Sequence, residues 1–135
     1  MNVMIHKPTV RESVLLQAYR EELVERIGRV ISFDGTVQPL PGLHLYRLSV
    51  PMARVYGVVE PSLCVVAQGS KEFLLGERSF RYDPFHYLLV TVDLPNIGQV
   101  LEASKERPFL SLRLELAPIL VSSVMVEAGH AERSY

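Results

Sequence analysis

From Leu43 to Leu116 the sequence is a succession of short apolar runs: "LHLYRLSV", "SLCVVAQG", "KEFLLG", "RSFRY", "HYLLVTVDLP", "IGQVLEA" and "FLSLRLEL". Breaks of Gly-Ser, Gly-Glu, Asp-Pro, Pro-Asn and Lys-Glu-Arg-Pro separate them. Six or seven short strands at a spacing of about ten residues predict a β-sandwich or barrel. "LLGERSF" reads as a hairpin across Gly76-Glu77, and Asp83-Pro84 as a turn. In "LHLYRLSV", Leu43, Leu45 and Arg47 point one way. The last run alternates without a fault. Leu110, Leu112, Leu114 and Leu116 share one face, and Ser111, Arg113 and Glu115 share the other. That strand permits two readings. Either the leucines fill the core and the charged side meets solvent, or the polar side looks into the space between two sheets.

Helical signals flank this β region. "TVRESVLLQAYREELVERIG" is amphipathic, with Leu16, Tyr19, Leu23 and Ile27 on one stripe. Thr9 and Glu12 have the spacing of a capping box, and Gly28 is placed to end the helix. The expected helix therefore covers about 10–28 and the β region about 36–117. A second helix over about 118–129 can start at Pro118, with Ile119, Leu120 and Val124 or Met125 on an apolar face. The apolar stripe of the first helix packs on the domain or on a second subunit. No repeat, low-complexity segment or linker divides the chain.

At 135 residues the chain has room for one domain. A net charge of −1 excludes the strongly basic surface that duplex DNA selects. Cys64 has no partner for an intrachain disulfide, which fits a reducing cytoplasm. It reads as a buried small hydrophobe, because no basic residue or histidine adjoins it in sequence. No secretory signal and no apolar run of membrane-spanning length is found, so a soluble, cytoplasmic protein is expected.

Catalytic and metal signatures are thin. The histidines stand at 6, 44, 86 and 130 and form no HxH, HxxxH or CxxC pattern. A metal held by one strand takes ligands at i and i+2, which share a face. "QGSKEFLLG", where such a pair would fall, has no histidine. No metal and no cofactor are therefore expected. His86 follows Asp83 by three residues, and a carboxylate so placed can orient a catalytic imidazole. The pair is equally well explained by a turn in which Asp83 bonds to nearby backbone, with His44 the remaining candidate partner for His86. Neither "GxSxG" nor a phosphate loop is present. Polar residues do interrupt the apolar strands at Gln68, Gln99, Ser111 and Arg113. With His86 they form the candidate ligand-binding set, since convergent polar groups in an apolar cavity are what a small-ligand pocket needs.

The pieces "PSLCVVAQGSK", "LLGE", "YDPFHYLLVTVDLP", "GQVLEAS" and "RPFLSLRLEL", with "PGLHLYRLS" upstream, resemble the N-terminal domain of bacterial AraC-type transcription regulators. The resemblance covers most of residues 10–120. It implies a cupin-like double-stranded β-helix or barrel with an N-terminal and a C-terminal helix, one that senses a small effector and forms a homodimer. It also implies a DNA-binding domain with two helix-turn-helix motifs beyond Tyr135, so that this chain is expected to be part of a longer regulator and to reach DNA only through that domain. The resemblance falls short of the arabinose-binding relatives, whose sugar-binding aromatic and histidine pattern is not recognisable, so arabinose is not expected. On this reading the chain is not an enzyme. Two rivals stand beside it: a cupin-type isomerase, epimerase or dioxygenase, and a dimerisation module whose interior is filled by leucines.

Overall fold

A computed structural model describes residues 3–5, 9–84, 86–117 and 126–128. The long helix α1 spans Val10–Val30 and begins where its capping signals place it. Thr9 lies in extended backbone; its hydroxyl accepts from the Glu12 amide at 3.3 Å, and the Glu12 carboxylate accepts from the Thr9 amide at 3.1 Å. Two donors that a helix start leaves open are thereby satisfied. The other end departs from expectation. The helix passes Gly28, and the Ile31 amide donates to the Ile27 carbonyl at 2.9 Å. Ile27 and Ile31 are both buried, and this apolar anchor holds the last turn in place beyond the glycine. A Cβ on Gly28 would meet nothing within 4 Å. Gly28→Ala is thus expected to stabilise the domain by about 0.5–1 kcal/mol, a rise of about 2–4 °C in Tm by calorimetry.

Leu23 and Val24 join Ile27 and Ile31 on Leu45, Ala67 and Leu110. Tyr19, expected on the same stripe, is 59% exposed, and Leu16 lies outside the described side chains. Among the described side chains of α1, the apolar ones that pack on the domain therefore lie in its second half. The expected helix over 118–129 lies outside the described residues except for 126–128, which are helical.

Ten strands follow the chain order β1 Val3–Ile5, β2 Gly35–Leu40, β3 Leu43–Leu48, β4 Met52–Val59, β5 Ser62–Gln68, β6 Ser70–Leu75, β7 Arg78–Tyr82, β8 Tyr87–Val90, β9 Leu94–Glu102 and β10 Phe109–Glu115. One sheet has the order β1-β8-β5-β10-β3-β2 and the other the order β4-β9-β6-β7. From β3 onward the pairing is nested: β3 with β10, β4 with β9, β5 with β8, and β6 with β7, all antiparallel. Nested pairing with strands switching between two sheets is the jelly-roll arrangement of cupin-like domains. Among the described residues no ladder joins the two sheets, so the architecture is an open sandwich rather than a closed barrel. The β6–β7 hairpin turns at Gly76-Glu77 as its sequence predicts. Gly76 has φ +60° and Leu75 pairs with Arg78, as a two-residue turn with glycine first requires.

The leucine stripe lies on the outside of its sheet. Leu110 packs under α1 with Ile27 and Ile31, and Leu112 borders the same cluster. Phe109 faces the other way, into a second cluster with Cys64, Val66, Phe73, Leu88, Val90 and Val100 between the sheets. Because side chains alternate along a strand, Ser111 and Arg113 follow Phe109 inward. Leucines therefore cover one side of the sheet, and the polar residues of β10 look into the sandwich.

Asp34 pins the start of β2 to β3. Its carboxylate accepts from Arg47 at 2.8 Å and from the Ser49 amide and hydroxyl at 3.1 and 2.6 Å. The Ser49 hydrogen bonds, with Arg47 beside them, hold its pKa below the usual value of 3.8. A depressed carboxylate pKa contributes stability that is present above the unfolded pKa and lost as pH falls through the folded one. Asp34→Asn is expected to flatten the acid limb of the stability–pH curve below about pH 4, measured by urea titration at stepped pH.

Candidate functional site

Where the two sheets diverge, the sandwich forms a half-open cavity of about 340 Å³. Its apolar wall comes from Met52 and Val59 of β4, Phe73 of β6, Leu88 of β8 and Leu112 of β10, with Val55 and Val58 at its exposed mouth. The polar groups come from four strands: Tyr46 and His44 of β3, Lys71 of β6, Tyr82 of β7, and Ser111 and Arg113 of β10. Thr36 and Cys64 complete the polar lining. This volume lies within the range of small-molecule sites, and a few polar groups on an apolar wall is their usual composition.

Lys71 is placed there by strand alternation. Phe73 is buried in the core, and Lys71 two residues earlier shares its face. Its stem passes over Gly98 of β9, where a Cβ would stand 3.1 Å from Cε and 3.6 Å from Nζ. The missing side chain at 98 gives the lysine its room. Burial lowers the Lys71 pKa and the nearby Arg113 lowers it further, while Cys64 acts in the opposite sense. Burial pushes the Cys64 thiol up, opposed by its contact with Ser62 and by Lys71 and Arg113. At neutral pH Cys64 is therefore a thiol. Burial also raises Tyr46 and, far more strongly, Tyr82, so both phenols are neutral donors.

Arg113 stands opposite His44 in the β10–β3 register. Glu115 lies at the edge of the site, accepting from or bonded to His44 Nε2 at 2.8 Å and lying 3.6 Å from Arg113. Among the described residues, no three His, Cys, Asp or Glu side chains gather closely enough to hold a metal ion.

Of the candidates read from the sequence, Ser111 and Arg113 line the cavity. Gln68, Gln99 and His86 do not. Gln68 donates to the Pro108 carbonyl at 2.9 Å and borders a separate groove beside α1 with Gln17 and Arg20. Gln99 pairs with Glu72 in the register of β9 and β6, on the face opposite Gly98 and Val100, which are buried inside. His86 caps its own turn: Nδ1 lies 2.8 Å from Asp83 Oδ1, and its amide donates to the Asp83 carbonyl at 2.9 Å. The turn, not a catalytic dyad, accounts for the pair. Lys71, Tyr46, Tyr82 and His44 were missed as cavity residues. For Lys71 the signal was present in "SKEFLL", where the lysine alternates in phase with Phe73.

The chain is a jelly-roll sandwich in which polar groups from several strands converge on a half-open cavity between the sheets. More particularly, the chain belongs to the family of AraC-type transcriptional regulator N-termini, which matches it over residues 39–134. No curated protein matches the sequence. Among solved structures, an HTH_3 family transcriptional regulator from Vibrio cholerae is similar at 14% identity and a TM-score of 0.36, over 61% of this chain and 49% of that one. A variant of salicylate 1,2-dioxygenase from Pseudoaminobacter salicylatoxidans, in complex with gentisate, is similar at 14% identity and a TM-score of 0.40, over 87% of this chain and 35% of that one. The chain thus spans half or less of the length of either structure, and at such TM-scores neither likeness bears on the site. No helix among the described residues is long and apolar enough to cross a membrane.

Proposed function

We propose that this chain is the effector-sensing and dimerising part of a bacterial, cytoplasmic AraC-type regulator, and that it has no enzymatic role. A small molecule enters the cavity between the sheets, favours one arrangement of the domain, and so changes how an attached DNA-binding domain is presented. A ligand shifts such an equilibrium by its difference in affinity for the two states, commonly about 1–3 kcal/mol. The observation that carries the reading is the cavity of about 340 Å³ with inward-facing Ser111 and Arg113. It speaks against the leucine-filled module, because, of the β10 leucines, Leu112 borders the cavity while Leu110 packs under α1.

A second copy of the chain is the proposed partner for the exposed apolar residues in the first half of α1. Leu15 and Tyr19, four residues apart, are 57% and 59% exposed there. Sedimentation is expected to give a dimer that Leu15→Glu weakens; a monomer at micromolar concentration would remove dimerisation from the proposal.

The function itself is tested by a thermal-shift screen of the 135-residue chain against metabolite classes. A saturable rise in Tm with one class is expected. Ser111→Phe, which fills the cavity from its wall, is expected to abolish that rise while circular dichroism stays unchanged. Turnover of the ligand would move the chain to the enzyme class, and an unaltered rise in Ser111→Phe would place binding outside the cavity.

A further inference from the structure

We propose that the cavity takes a small organic carboxylate with an apolar body, its carboxylate held by Lys71 and Arg113. This rests on the sensing role proposed above and names the chemistry of the effector. Two cations line the cavity, and among the described residues lining it none is Asp or Glu. The chain as a whole carries 15 acidic and 14 basic residues, so the sorting of charge into this space runs against its composition.

Lys71 makes no hydrogen bond or ion pair among the described residues, and Arg113 acts on it as a like charge. Arg113 has a partial partner in Glu115, whose nearest oxygen is 3.6 Å away and is shared with His44. An unpaired cation with little water is costly, and a bound anion removes that cost. Tyr82, Tyr46 and Ser111 add neutral donors to the same wall. Among the described residues the wall has no Asn or Gln side chain either. A sugar, whose hydroxyls need acceptors as well as donors, would find few here. Met52, Val59, Phe73 and Leu88 suit an aromatic or branched aliphatic body. At ~30 Å³ per water the space equals roughly ten waters, the bulk of an acid of about ten non-hydrogen atoms.

The test is calorimetric titration and thermal shift of the 135-residue chain with cyclohexanecarboxylate, phenylacetate and hexanoate. Each is compared with its neutral amide, and phenyl phosphate is included as a second anion. Carboxylates are expected to bind at least ten-fold more tightly than their amides. Lys71→Met is expected to lose that preference with its circular dichroism intact, and Lys71→Arg to recover part of it. Gly98→Ala, which keeps every charge but crowds the lysine head, is expected to weaken the acids more than the amides. Amides that bind as tightly as the acids, or phenyl phosphate that binds ten-fold better than any of them, would overturn the carboxylate while leaving the sensor intact. If an uncharged metabolite from the wider screen binds and no acid does, the outcome is the same. Should nothing in either panel bind, the sensing role fails together with this one.

Discussion

Gly69→Ala is expected to destabilise the domain by on the order of 3 kcal/mol or more, enough to leave much of a marginal domain unfolded. Gly69 joins β5 to β6, where the chain leaves one sheet for the other, and its φ is +87°. A side chain is strained in that region of backbone space. The space is closed as well. A Cβ would lie 2.4 Å from the Glu102 carbonyl oxygen, 3.1 Å from Phe109 Cδ2 and 3.2 Å from Phe109 Cα. The nearest of these atoms is backbone and cannot swing away. Glu102 ends β9 and Phe109 begins β10, so two crossings between the sheets meet at one glycine. Phe109 is fully buried and packs edge-on against Tyr46 at 5.9 Å, which leaves it little freedom to yield. Urea unfolding measures the loss. A Gly69→Ala variant that melts within a degree or two of the parent would show that the corner can relax.

Lys71→Met should act in the opposite direction and stabilise the empty domain at neutral pH. Replacing a buried ion pair by apolar chains of similar volume ranges from neutral to about 1–4 kcal/mol stabilising, and the lower part of that range is expected for Lys71, a single ammonium that reaches the cavity. The sign with pH follows from linkage. The folded-state pKa of Lys71 is depressed, chiefly by burial, so over the window between the folded and unfolded values the unfolded chain binds more protons. Stability therefore rises with pH through that alkaline window, and the cost of the charge is fully present below it. The groups facing Lys71 are Cys64 from β5, Tyr82 from β7, Tyr46 and His44 from β3, and Arg113 from β10, with Glu115 behind His44. The Cys64 thiol, pushed up by burial, also loses its proton on the alkaline side, so the comparison is made in a Cys64→Ser background. Urea titrations of the two lysine forms from pH 7 to pH 10 are expected to converge as pH rises. If Lys71→Met is less stable than the parent at pH 7, the lysine braces the fold and the reading of it as an unsatisfied binding group falls.

The β region and the helix start were legible because both depend on local signals. Turn residues punctuate the strands, and Thr9 with Glu12 closes its own capping box. Properties set across the chain were not legible. Which side of β10 is interior depends on α1 covering the leucines, and the alternation itself is the same either way. Gly28 looked like a helix end, but Ile27 and Ile31 reach a sheet far along the chain and hold the helix past it. The β4 stretch "MARVYGVV" went unread as a strand, and its residues show why: Val55, Tyr56 and Val58 stay exposed on a sheet edge, so no clean alternation marks it. Polar residues drew attention in proportion to how odd they looked among apolar neighbours. That rule found Ser111 and Arg113, misplaced Gln99, and passed over Lys71, whose long stem lets it sit inward at a position that reads as surface.

The nested pairing also has a consequence for biosynthesis. Leu48 on β3 has Phe109 on β10 as its cross-strand neighbour, and every inner pair lies within that span. The hairpin of β6 and β7 can close as soon as it leaves the ribosome, whereas β3 must wait until the far end of the domain has been made. At translation rates of about 5–20 residues per second that wait lasts several seconds. During it Tyr46 and Leu48 have no sheet partner on that side, a window in which a chaperone or a second nascent copy can reach them before their own strand does.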